Sequence, residues 1–344
     1  ILTVPFDLDR VAVTGPAELL EDHVLQPGVA EISLSNNGRL LYASGTDRKN
    51  RRLVSIDPQQ SLGQPEELMV GELKDTIRLR PDDQALAFNI HIEDGVSGIR
   101  LFHLDPPRLG QRVSDSHTNS GHPTWASDGK SLSYFWGLTV HSIEIGGAAI
   151  DEALFNKEQE RKGADFPTCW HPQEDVLLYT DEDETSHWDI RLYDMETGEL
   201  SDFVKTQSVE TGAVFSPDGK WVAYQSNDGG RFEIFIKPYP LEAGFPKRVS
   251  ADGGIEPMWS RSIDPLRLYY RIGQKMMSVD FLPGQTPEFS DPVELFRGRY
   301  AFGSVRAAYD IDQQGRFFMV ELAEGELPKE LHMIVDWNAE YVTK

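Results

Sequence analysis

The chain contains a single cysteine, Cys169, in 344 residues. An internal disulfide framework and a thiolate zinc cage are thereby excluded, because each needs at least two thiols. Basic residues are scarce too: 33 Lys and Arg stand against 56 Asp and Glu, a formal net charge of −23. Affinity for nucleic acid or anionic lipid comes from cations that neutralise phosphates, so this balance argues against both partners. No apolar run reaches the ~18–20 residues of a membrane helix, and no segment is expected to insert in a bilayer. The chain begins at Ile1 rather than Met, so an upstream signal peptide, anchor or domain is expected.

Motifs of nucleophilic and phosphate chemistry are also missing. There is no Gly-x-Ser-x-Gly elbow, no phosphate loop, no Gly-x-Gly-x-x-Gly, no His-Glu-x-x-His and no kinase signature. With 39% hydrophobic and 10% aromatic residues, the chain nevertheless has enough apolar mass for a large core.

What is present is a repeat. In AVFSPDGKWVAYQSNDGGRFEIFIKPYP, Ala213 to Pro240, an apolar strand ends at Phe215, a Pro-Asp-Gly turn follows, and a second strand opens at Trp221. Pro fixes φ and Gly accepts positive φ, which makes the turn tight. The residue before the turn recurs as Leu34, Leu79, Trp125, Trp170, Phe215, Trp259 and Ile311. The first five steps span 44–46 residues and the last spans 52. Spacing near 45 residues with short alternating apolar segments predicts four-stranded antiparallel β-propeller blades. The simplest all-β ring has seven blades, with six or eight as alternatives. It forms one domain over 1–344, with repeats near 30–74, 75–120, 121–165, 166–209, 210–253, 254–304 and 305–344, the last closed with 1–29. Pairing of the two chain ends would hide the edge strands at the seam. Asp151 to Lys162 reads as a short helix or ordered loop.

FSPDGKWVAY with the trailing EIFIKPYP resembles the TolB-type, WD-like propeller repeat of bacteria. GGIEPMWS, LYYRIGQKMMSVDF, YDIDQQGRFFMV and LHMIVDWNAE resemble one branch of it. In that branch the propeller is the sensor-like C-terminal part of serine/threonine kinases or membrane-bound transcriptional regulators. The resemblance implies an extracytoplasmic, periplasmic station and transfers no catalytic residue.

Most chemistry-bearing residues have plain readings. Cys169 reads as a buried small apolar residue. His117, His122, His171 and His187 read as turn or surface residues, and Asp181 to Glu184 as a solvated loop tip. Trp125, Trp170 and Trp259 read as blade-to-blade packing rather than a stacking platform. The most informative set lies just before each inner strand: Glu31, Asp75, His122, Asp165, Glu210 and Glu256, with Arg306 before the last copy. In a ring these converge on one mouth of the central channel. They either solvate an open end or form a funnel for a cation or cationic ligand, with calcium or another divalent ion as a possible cofactor. The expected function is a non-enzymatic module that binds a protein, peptide or small ligand. The alternative is a metal-dependent hydrolase of lactonase or esterase type, with its ion at that mouth.

Overall fold

The computed structural model describes residues 51–322 apart from 60–62, 92–95, 115–118, 148–150, 156–162, 183–187, 241–243, 285–286 and 304, and outside that span the backbone of short strands. Contacts divide the chain into two compact units, Arg51–Glu321 and Ile1–Asn50 with Leu322–Lys344. All elements among the described residues are strands.

Arg51–Glu321 forms six antiparallel four-stranded blades. Five are built from consecutive strands; their innermost members are Leu73–Leu79, Ser120–Trp125, Asp165–Trp170, Glu210–Phe215 and Ile255–Ile263. In the fifth, Lys275–Leu282 pairs with both Glu288–Phe289 and Val293–Arg297. The sixth blade is composite. Tyr309–Ile311 and Phe317–Glu321 are its inner strands, and Arg51–Ile56 and Pro65–Gly71 its outer ones. Phe317 faces Ile56, and Glu321 faces Arg52 across this join. Each inner strand contacts the next, and Tyr309–Ile311 returns to Leu73–Leu79.

The blade count is therefore six rather than seven. The repeat spacing counts inner strand pairs, and it does not say which outer pair completes each. The strands that follow the first copy, within 51–71, complete the last copy instead. The first copy itself, Ile32–Leu34 and Arg39–Ala43, belongs to the other unit, where Arg39–Ala43 also pairs with Leu331–Val335. In that unit Leu2–Thr3 pairs with Glu18–Leu19, and Phe6–Asp7 with Ala12–Val13. Asp151–Ala153 is not helical; it is the outermost strand of the second blade and pairs with Thr139–Glu144. Residues 156–162 lie outside the described ones.

Two local rules build each blade. In the fourth, Ser216 N donates to Trp221 O at 2.8 Å and Gly219 N to Ser216 O at 2.9 Å. Gly219 has φ +73° there, which a Cβ would strain. The equivalent turn at Asp82–Asp83 lacks glycine, and Asp83 itself takes φ +59°, a conformation Asp tolerates better than most residues. The second strands are buried on both faces, because each blade stacks on two neighbours. Val176 and Leu178 enter a cluster with Ala213, Phe215 and Tyr224 of the fourth blade. Leu177 and Tyr179 enter one with Val140 of the second. Each such aliphatic side chain contributes about 1.5–3 kcal/mol on burial.

Candidate functional site in the propeller channel

The inner strands line the channel, their first residues at one mouth and their last at the other. Glu31 lies outside the described residues. Asp75, His122, Asp165, Glu210 and Glu256 all occupy the first halves of inner strands. Pairing slips there: Gly121 to Thr124, Thr211 to Val214 and Ile255 to Met258 each contain a bulge. Gly212, His122 and Glu256 take φ +70°, +54° and +59° in these bulges. For the latter two this is a rare backbone state, costing of order 1–3 kcal/mol unless neighbours impose it.

Glu256 shows what imposes it. Its wholly buried carboxylate pairs with Arg271 Nη1 at 3.0 Å. It also accepts from Gly303 N at 2.7 Å and Ala308 N at 2.8 Å. Burial pushes its pKa up, against the pull of Arg271. Arg306, on the segment that Glu256 holds, donates through Nη1 to Pro167 O at 2.9 Å and through Nη2 to Pro123 O. Burial, then the charge of Arg78, holds the Arg306 guanidinium well below its usual range. The partly buried His122 ring meets Phe166 edge-on at 5.0 Å. Burial first, then Arg306 and Arg78, depress its pKa to about 3, so the imidazole is neutral at neutral pH.

Glu210 has partners of its own. It is buried and accepts from Thr206 Oγ1 at 2.7 Å and Ser226 Oγ at 3.0 Å, and burial raises its pKa. Asp165 is likewise buried in the wall, beside Asp181 in the strand register. The fold thus links Glu256, Arg306 and His122 through one segment and sets Asp165 and Glu210 among wall contacts. Among the described residues, no three His, Cys, Asp or Glu side chains form a group that could hold a metal ion. His117 and His187 are outside the described residues, and His171 is a turn residue. Its Nδ1 accepts from Glu174 N at 2.9 Å, and its Nε2 lies 3.2 Å from Gly219 O.

The other mouth holds a cavity of about 590 Å³. Its walls are the repeat-marking residues Leu79, Trp125, Trp170, Phe215 and Trp259, joined by Met258, Cys169 and Arg78. The indoles do pack between blades. Trp125 Nε1 donates to Arg78 O at 3.1 Å, Trp170 Nε1 to Ser133 Oγ at 3.2 Å and Trp259 Nε1 to Val214 O at 3.2 Å. Each bond reaches the preceding blade, which fixes the ring that faces the cavity. Cys169 is partly buried there, its thiol pKa raised chiefly by burial. Arg261 crosses the mouth from the fifth blade to the first. It donates to Leu79 O at 3.0 Å and Arg80 O at 3.2 Å and pairs with Asp83 at 2.9 Å. Sequence reasoning treated the tryptophans as packing and passed over the cavity. The available signal was their shared repeat position, which places them at one mouth.

Among the described residues no helix is long and apolar enough to cross a membrane. No family model and no curated protein matches the sequence. Solved structures do match. A putative TolB from Agrobacterium tumefaciens aligns with TM-score 0.61 and 13% identity, over 80% of this chain and 99% of that one. TolB from Acinetobacter baumannii aligns with TM-score 0.52 and 14% identity, over 85% and 68%. A nidogen/laminin complex gives 0.53 and 10% over 88% and 99%; oligogalacturonate lyase from Vibrio parahaemolyticus gives 0.52 and 10% over 89% and 82%. At these identities the likeness establishes a TolB-like β-propeller fold.

Proposed function

We propose that this chain is a non-enzymatic binding module that receives a segment of a protein or peptide in the cavity lined by Trp125, Trp170, Phe215 and Trp259. The carrying observation is that cavity: about 590 Å³, walled by aromatic rings on rigid strands and open at one channel mouth. Concave, mostly apolar pockets with a few placed polar groups suit ligand capture. Aromatic rings locked by bonds to a neighbouring blade lose little entropy on binding. One structural neighbour is solved as a nidogen/laminin complex, a propeller-like fold in a protein–protein assembly. The likeness to TolB supports an extracytoplasmic sensor or assembly role as part of the same reading.

The rim offers the test. Ser127 and Ser262 are exposed cavity-lining residues, so Ser127→Trp with Ser262→Trp should narrow the mouth without touching the core. Peptides selected from a displayed random library on the wild type should bind the double variant at least about tenfold more weakly. Equal affinity for both proteins would remove the cavity from the binding surface. The second reading is a hydrolase with calcium or another divalent ion at the opposite mouth, drawing on Asp75. Calcium titration of the wild type and Asp75→Asn addresses it: a rise in melting temperature with calcium that the variant loses would favour it.

A further inference from the structure

Arg78 is a buried guanidinium whose needs the protein does not fully meet. It is 6% exposed and lines the cavity. Its Nη1 donates to Ile77 O at 2.6 Å, Ala307 O at 2.9 Å and Tyr309 O at 3.2 Å. Its Nη2 is buried and has no hydrogen-bond partner. The two threonines of the lining are already engaged. Thr124 Oγ1 donates to Thr168 O at 3.3 Å and Thr168 Oγ1 to Leu178 O at 3.0 Å. Asp310 acts on Arg78 through space, yet its oxygens accept from Leu79 N at 2.9 Å and Ile311 N at 2.7 Å. Among the described residues neither Arg78 nor Arg306 forms an ion pair, and the two cations oppose each other. An unpaired buried cation with an idle N–H destabilises the fold, and an incoming anion can recover part of that cost.

We infer that the cavity contains a carboxylate subsite at Arg78, and that the bound segment presents a carboxylate, a chain terminus or an acidic side chain, to its guanidinium. This rests on the binding-module reading and specifies its ligand. A carboxylate suits the site better than a phosphate dianion. The offer is one guanidinium edge, with Asp310 close enough to repel excess negative charge. An anionic ligand in a chain of formal charge −23 also requires a local positive site, which Arg78 supplies in the cavity wall.

The test uses the whole chain and small probes. Sodium acetate should raise the melting temperature of the wild type by at least about 2 °C over sodium chloride at equal ionic strength. Acetamide, its neutral isostere, should have no effect. N-acetylglycine, with a free terminal carboxylate, and N-acetylaspartate diamide-protected at its backbone, with only the side-chain carboxylate, tell the two sources apart. Arg78→Met should abolish the acetate response. Should that variant fail to fold, Cys169→Asp decides: a carboxylate placed in the cavity wall should give a melting temperature above that of the wild type and remove the response to acetate. An equal response to acetate and acetamide, a larger response to phosphate or chloride, or a destabilised Cys169→Asp that still responds to acetate would overturn the carboxylate subsite. Library peptides that bind through the rim-sensitive cavity yet lack carboxylates would overturn it while leaving the binding reading intact. An acetate response beside rim-insensitive peptides would do the reverse.

Discussion

Glu256 and Arg271 meet at 3.0 Å with both side chains withdrawn from water, and the carboxylate also gathers the backbone of Gly303 and Ala308. The pair therefore ties the fifth blade to the segment that enters the composite blade. Glu256→Ala would leave Arg271 buried and uncompensated, and should cost about 3–5 kcal/mol. Glu256→Leu combined with Arg271→Met should cost less than the single change. Denaturant unfolding of the three variants measures this, and a double variant worse than Glu256→Ala would show that the anchoring of 303–308 outweighs the charge balance.

Acid should weaken the fold through His122. Its unfolded imidazole titrates near 6.5 and its folded one at about 3, so the unfolded chain takes up the extra proton first as pH falls. Stability associated with His122 should decline from about pH 6.5 toward 3 and be unaffected above that window. His122→Gln should flatten this part of the stability–pH curve. A curve with unchanged slope in the variant would assign the acid sensitivity to other groups.

The composite blade should be the sensitive join. Met319 is wholly buried where Phe317–Glu321 pairs with Arg51–Ile56, opposite Val54. Met319→Ala should lose about 2–5 kcal/mol. Replacing exposed Asp228 by Ser in the loop 227–230 should stay within about 0.5 kcal/mol. Comparable melting temperatures for the two variants would count against the join as a point of weakness.

Trp259→Phe removes the indole N–H that donates to Val214 O from the next blade. Losing this bond should cost about 0.5–1.5 kcal/mol, since Val214 stays paired with Ala223, while an aromatic ring still faces the cavity. The expected outcome is lower stability with peptide binding largely retained. Binding lost at temperatures where the protein stays folded would give the indole itself a contact with the ligand.

Much of this fold was legible in one strand pair per repeat. The apolar residue before each turn recurs with enough fidelity to place six of seven copies in blades. The seventh went astray for a topological reason: Ile32–Leu34 carries the same local pattern, but pattern reports pairing with the adjacent strand and not membership of a ring. The site was less legible. Residues at equivalent repeat positions occupy equivalent places on the inner strands, and that much could be foreseen. Which groups would be consumed in the wall could not, because the partner of Glu256 is 15 residues away on the next strand and those of Arg306 lie 139 and 183 residues away. Arg78 drew no notice for the same reason: its idle nitrogen is a property of assembled neighbours.

The join between Arg51–Ile56 and Phe317–Glu321 also sets a schedule for folding. On a ribosome, the early strands emerge long before the segment they must pair with. Until then Arg51–Ile56 presents a bare edge, and five successive blades can stack with nothing to hold them in a circle. Contacts of such sequence separation form late and slowly. The open intermediate is thus the species most exposed to wrong partners, and holdase chaperones or a second nascent copy would meet it at that edge.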